Sequence, residues 1–353
     1  MKKVINLLCA SSILILVACN KDDAPAPAAA APNYSDNISN ITNNVIIATY
    51  ADLDAKVSTL VNQLSTLEAT PSIANLEASR QAWRDARKPW EQSEGFLFGP
   101  VDQQGYDPNM DSWPVNVVDL DAVLNNGNVL TKAYIDALDG TLKGFHTIEY
   151  LLWGTDGNKQ FNSFTTREFE YLKACAQSLK GVTADLYNAW IPSGGNFSNN
   201  LLTAGNGSTL YPSQKSALQE FVNGVITIAD EVANGKINDP LSTGDVTLEE
   251  SRFSANSKAD FADNMRSIRN VYIGSLSSLG GKSISSIVSE TNASLDAQVK
   301  QAIEQSITSI EAIPGTFTTA ITANPQAIQA AQTKVRDLQN ILQNDLLNFI
   351  NGL

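Results

Sequence analysis

The sequence predicts an all-α protein built as two helical, four-helix-bundle-like domains, and three observations carry that expectation. Apolar residues return at threes and fours through almost every long segment, as in Ile38, Ile41, Val45, Ala48, Leu53, Val57, Leu60, Leu64 and Leu67. No alternating apolar run bounded by hairpin turns interrupts this pattern. One stretch rich in Gly, Ser and Asn, Ile191 to Pro212, divides the helical pattern, and 353 residues are enough for two domains with a sizeable core. The expected domains are residues 34–205 and 206–353.

The N-terminus is set apart from the fold. Lys2 and Lys3 precede an apolar run, Val4 to Ala18, which is too short to span a bilayer and suits the h-region of a signal peptide over residues 1–18. Leu16-Val17-Ala18-Cys19 resembles a bacterial lipobox, which implies cleavage before Cys19 and lipidation of that residue. Asn20-Lys21-Asp22-Asp23 resembles the surface-export signal of Bacteroidetes lipoproteins. Residues 19–33, Ala- and Pro-rich from Ala24 to Pro32, read as a lipidated cysteine with a flexible tether. The expected location is the cell envelope, as an outer-membrane lipoprotein held through Cys19 and facing outward. Removal of Cys9 with the signal and lipidation of Cys19 leave Cys175 alone, so no intrachain disulfide forms. Within an apolar helical pattern, Cys175 reads as a small core residue.

The helices follow in order. Asn37 to Leu67 is the first. Pro71 suits the first turn of the second, which should run to about Phe96. Gly99-Pro100, Asp107-Pro108 and Trp113-Pro114 mark an irregular segment, followed by short helices at Val115 to Leu124 and Thr131 to Leu138. A helix from Thr141 to Trp153 is stopped by Gly154. Thr165 to Trp190 begins with a capping-box pattern, Thr165 with Glu168 three residues on. Beyond the break come Ser213 to Lys236, Ser257 to Leu276, Ser283 to Ile313 and Pro325 to Leu347.

The formal net charge is −13, and loss of Lys2 and Lys3 leaves 22 basic against 37 acidic residues, or −15. That balance disfavours nucleic acid and anionic membrane surfaces as partners and accommodates cations.

The chemistry centres on Gly144 to Gly154, which holds the only histidine of the chain. On a helix, His146 and Glu149 lie one turn apart on one face. One histidine cannot make the two-histidine site of an HExxH zinc peptidase, nor a two-histidine iron triad within one chain. No glycine-flanked serine elbow offers a nucleophile. One imidazole with several carboxylates around a harder metal remains open, as does a plain structural His–Glu hydrogen bond. A second segment, Trp83 to Pro100, lies on a helical stripe of Arg80, Arg84, Arg87, Glu91 and Glu94, with Pro89 expected to disturb the helix midway. Asp111-Ser112-Trp113-Pro114 adds a carboxylate on a constrained turn. A third segment, Glu249 to Ser257 leading into Asp260 and Asn264, has Ser254 or Ser257 as helix caps and leaves Arg252 without an assigned partner.

Together these segments resemble the imelysin family. Gly144, His146 and Glu149 match its Gly-x-His-x-x-Glu hallmark. Arg87 to Pro100, Asp111 to Pro114 and Glu250 to Ser254 match its companion segments in order, and the likeness runs from about residue 36 to the C-terminus. The resemblance implies a two-domain helical fold with a site where the domains meet, a link to iron uptake, and an older peptidase label. On that basis His146, Glu149, Glu94 and Asp111 are expected to hold a metal, iron first among divalent cations. Arg87, Ser93, Trp113, Arg252 and Ser254 are expected to bind or orient its ligand, the arginines through bidentate hydrogen bonds. The expected partners are a metal ion or metal chelate and the membrane proteins of iron uptake, with no nucleic acid. Binding is the favoured reading over catalysis. The rivals are a metal-dependent peptidase with Glu149 as general base and a structural lipoprotein whose polar cluster stitches two bundles together.

Overall fold

The computed structural model describes residues 32–277 and 279–353. The signal peptide, Cys19 and almost all of the tether lie outside the described residues. Asn33–Leu353 pack as one compact unit, and every regular element among the described residues is helical. None of their helices is long and apolar enough to cross a membrane.

Among the described residues, eight α-helices of ten residues or more carry the fold: α1 (Ala48–Ala69), α2 (Ile73–Glu91), α3 (Gly144–Trp153), α4 (Thr166–Trp190), α5 (Gln214–Glu231), α6 (Ser257–Ile273), α7 (Ala293–Glu311) and α8 (Pro325–Ile341). α1 packs along α2 and α4, and α3 lies across α2 and α4; α6 and α8 flank α7, and α5 leans on both α6 and α8. These contacts gather the helices into two four-helix groups within the one unit. They share one body because α2 packs on α6, and the turn Glu94–Phe96 inserts against α5 and α6. That insertion needs small residues: Gly95 N–H donates to Ser267 Oγ (2.8 Å), and a Cβ on Gly224 of α5 would come within 2.4 Å of the Gly95 carbonyl. The first helix among the described residues, Ser35–Ile41, ties the halves again, with Asn37 Nδ2 donating to Ser283 O (2.9 Å) and Asn40 Nδ2 to Gly274 O (2.7 Å).

The apolar stripe read from Ile38 to Leu67 is buried almost throughout, but its helix is not regular. A π turn, Thr42–Ile47, joins Ser35–Ile41 to α1. Pro71 lies outside α2; Ser72 is the N-cap, its Oγ accepting from Asn75 N–H (3.1 Å). α2 ends at Glu91, earlier than Phe96, and Pro89 sits inside it without stopping it. The segment Ser283 to Ile313 is two helices, because Asn292 leaves helical geometry and caps α7 by accepting from Leu295 N–H (3.1 Å). The capping box at Thr165 and Glu168 forms as expected. Neither Ser254 nor Ser257 caps α6; Asn256 stands at that position without a side-chain capping bond, its Nδ2 donating to Asp260 Oδ1 (2.8 Å), and both serine hydroxyls donate to glutamates instead.

Candidate functional site

The site begins with how α3 is seated. Gly144 opens it at φ +77°, and a Cβ there would come within 2.1 Å of the Met110 carbonyl. The glycine therefore lets α3 begin directly against the chain that delivers Asp111. Arg80 donates to the carbonyls of Leu152 (3.0 Å) and Lys159 (2.8 Å), holding the other end of α3. Trp83 Nε1 donates to Phe145 O (2.9 Å), and Tyr171 OH on α4 donates to Leu142 O (2.6 Å). His146 and Glu149 are thus fixed on a rigid, buried helix.

Around them lies a cluster of charged side chains drawn from both halves of the chain, none more than 5% exposed. Arg87 is at its centre. Its guanidinium donates to Asp111 and Glu91, reaches Glu250 Oε1 (3.2 Å) and lies 3.6 Å from Asp260 Oδ1. Lys236 Nζ contacts Glu94 Oε2 (2.8 Å), Glu250 Oε1 (2.9 Å) and Glu91 Oε2 (3.7 Å). Asn264 Nδ2 donates to Glu91 Oε2 (2.6 Å) and Glu94 Oε2 (2.9 Å), and Trp90 Nε1 to Asp111 Oδ2 (2.6 Å). His146 Nδ1 is 3.1 Å from Glu149 Oε2. Its Nε2 is 3.1 Å from Asp111 Oδ1 but out of line for a hydrogen bond, and so has no partner. Glu149 Oε1 accepts from both Ser254 N–H (2.8 Å) and Ser254 Oγ (2.7 Å). The Ser254 turn is held by Ala255 at φ +57°, a left-handed conformation that costs a non-glycine residue about 1–2 kcal/mol.

The burial sets the electrostatics. Desolvation alone would depress His146, but the Asp111 carboxylate and the bond to Glu149 reverse this and lift it to about 9. Burial likewise works against ionised Asp111, yet Arg87 and His146 hold it well below the usual carboxylate range. Glu91 and Glu94 are pushed far up, Glu91 by burial against the pull of Arg87 and Lys236, Glu94 by burial and by Glu91 beside it. Burial raises Asp260 to about 6 despite Arg87, and raises Asp107, at the rim beside Asp111, to about 7. Low dielectric penalises every surplus negative charge, so proton uptake is the cluster's way of limiting it.

Several polar atoms of this cluster are buried without a hydrogen-bond partner: His146 Nε2, Glu250 Oε2, Asp260 Oδ2, Asn264 Oδ1, Ser251 Oγ and Arg87 Nε. Three overlapping triplets present one ligand atom each within 4.8 Å of one another: Asp111–His146–Glu250, Glu91–Glu250–Asp260 and Glu91–Glu94–Asp111. Buried acceptors left unpaired are uncommon and costly, and an oxygen-rich set with one imidazole suits a hard or borderline cation.

The structure brings together most of the sequence-expected residues. His146, Glu149, Glu94, Asp111, Arg87 and Ser254 all belong to the cluster, and the half-buried Trp113 ring lies over Lys236 Nζ at 5.3 Å and 6.3 Å from the His146 ring. Two do not join. Ser93 Oγ donates to Trp90 O (2.6 Å), closing the turn after α2. Arg252 stacks on Phe253, Cζ 4.2 Å from the ring centroid, and makes no ion pair with the cluster. Glu149 faces the serine turn and the imidazole more than any shared cation position. Lys236, Glu250, Asp260 and Asn264 were not among the expected site residues. Glu250, Asp260 and Asn264 lie in or beside the third segment, where one polar stretch gives no register for choosing among them. Cys175 is a buried core thiol that burial pushes up to about 12.

A family model described as imelysin matches residues 46–344. Iron-regulated protein A of Synechococcus elongatus is 28% identical, with 99% of this chain and 94% of that protein covered. Among solved structures, a candidate iron-regulated protein A precursor from Parabacteroides distasonis superposes with a TM-score of 0.82 at 27% identity, covering 92% of this chain and 98% of the other. An imelysin-like protein from Psychrobacter arcticum shares the fold at TM-score 0.72 and 14% identity, covering 89% and 94%.

Proposed function

The chain belongs to the imelysin family, and from that premise we propose that it binds iron, as the bare cation or in an iron-bearing ligand, at the buried His/carboxylate/Arg cluster. The observation that carries this reading is a charge imbalance with open lone pairs. Glu91, Glu94, Asp111, Glu250 and Asp260 converge on only two permanent cations, Arg87 and Lys236, while Glu250 Oε2, Asp260 Oδ2 and His146 Nε2 make no hydrogen bond, the last lying 3.1 Å from Asp111 Oδ1. A cation would supply the missing positive charge and take up these lone pairs, displacing protons as it did so. His146, Asp111 and Glu250 would hold it, and the Ser254–Glu149–His146 chain would fix the imidazole from behind.

The names of the iron-regulated relatives support iron over other divalent cations. A peptidase role is disfavoured because Glu149, the base it would need, already has both oxygens engaged by Ser254 and His146. The lipobox at Cys19 supports an envelope lipoprotein that holds iron for uptake by membrane proteins.

Calorimetric titration of ferrous iron, manganese, calcium and zinc into Asn33–Leu353 tests the site. Wild type should bind an iron or manganese ion, with at least tenfold loss in His146→Ala and Glu250→Gln while circular dichroism stays unchanged. Binding that survives both substitutions, or no binding by wild type, rejects the reading.

A further inference from the structure

Lys236 has no counterpart in the sequence motifs, yet it lies as deep in the site as Arg87. It closes a π turn, Val232–Lys236, between α5 and the helix Asn238–Thr243. π turns are rare and concentrate at functional positions. This one is stabilised from outside, since Gln332 Nε2 on α8 donates to the Ala233 carbonyl (2.8 Å). The turn carries a fully buried ammonium to within 2.8 Å of Glu94 and 2.9 Å of Glu250.

Two of the three ligand triplets divide around it. Asp111–His146–Glu250 has unpaired atoms at His146 Nε2 and Glu250 Oε2. Glu91–Glu94–Asp111 shares Asp111 with the first; Lys236 touches one member of the first triplet, Glu250 through Oε1 (2.9 Å), but two of the second, Glu94 (2.8 Å) and Glu91 (3.7 Å). Asn264, which donates to those same glutamates, keeps a buried Oδ1 free. The second triplet therefore has the form of a cation position in which the cation is an amino-acid side chain.

We propose that Lys236 is a tethered counter-cation filling a second metal position, so that the site takes one metal ion beside His146 instead of two. The inference rests on the metal-binding reading of the same cluster. Replacing the ammonium with an apolar group of similar length exposes Glu91 and Glu94 to a soluble cation without removing a carboxylate. Replacement by arginine keeps the charge in place.

The test is calorimetric titration of Mn2+ into wild type, Lys236→Met and Lys236→Arg, each with a thermal melt with and without Mn2+. The expected result is one equivalent for wild type and Lys236→Arg, and a second equivalent or at least tenfold tighter binding for Lys236→Met. Equal stoichiometry with equal or weaker affinity in Lys236→Met overturns the proposal while leaving the first site standing. Binding by Lys236→Met alone overturns the one-ion proposal together with the metal site of the native protein, and binding by neither rejects both. If Lys236→Met is unfolded without metal, recovery of its melting transition on adding Mn2+ supports the proposal, and failure to recover contradicts it.

Discussion

At the scale of single residues, three positions do work that their chemistry alone would not reveal. Gly144 is needed for contact: its φ is +77° and Met110 O stands where a Cβ would go. Gly144→Ala should cost roughly 2–4 kcal/mol in urea unfolding, the range of substitutions that force a packed backbone apart, and should weaken metal binding by moving Asp111. Ala255 is the reverse case, a non-glycine residue at φ +57°. Ala255→Gly should raise stability by up to about 1 kcal/mol and leave binding unchanged. His146 gives a pH signature. Its folded value of about 9 lies above the ordinary 6.5, so the stability it contributes is present in full below pH 6.5 and lost as pH rises through 9, on the order of 3 kcal/mol. The metal-free wild type should therefore melt at lower temperature at pH 9.5 than at pH 6.5. His146→Gln should lack that part of the slope. The Gly144, His146, Glu149 constellation is visible in the sequence because one turn of helix brings i and i+3 together. The bonds of Ser254 to Glu149, Glu250 to Arg87 and Lys236 to Glu94 are not, since they cross 105, 163 and 142 residues and no local periodicity encodes them.

At the scale of elements, the long helices could be read because their apolar stripes are real burial patterns; the departures came from local polar chemistry. Asn292 splits a continuous apolar stripe because its side chain serves α7 as a cap better than a helical residue would. Asn292→Ala should cost about 1 kcal/mol in denaturant unfolding, with iron and manganese affinity untouched because the cap lies outside the cluster. The π turns at Thr42–Ile47, Val232–Lys236 and Leu342–Leu346 leave the stripe nearly in phase, which is why periodicity misses them. The turn Val232–Lys236 bears on function, and Gln332→Ala tests it: loss of the bond to Ala233 O should destabilise the fold by about 1 kcal/mol and alter metal affinity although Gln332 touches no ligand.

At the scale of the whole molecule, two four-helix groups become one body around a charged seam. Arg87, Glu91, Glu94, Asp111, His146 and Glu149 come from the first group, and Lys236, Glu250, Ser254, Asp260 and Asn264 from the second half of the chain. A division into two bundles is legible in the sequence; their union is not, because the contacts of Gly95 with Ser267 and of Asn37 with Ser283 carry no periodic signal. Burying six carboxylates at this seam makes sense if a cation joins them, and removing either half removes the site. The direct measurement is anomalous diffraction at the iron edge from crystals of Asn33–Leu353 grown with ferrous iron. The account predicts a single strong peak within bonding reach of His146 Nε2, Asp111 and Glu250, with Lys236 still on Glu94. No peak at the seam, with iron bound elsewhere or not at all, would contradict it.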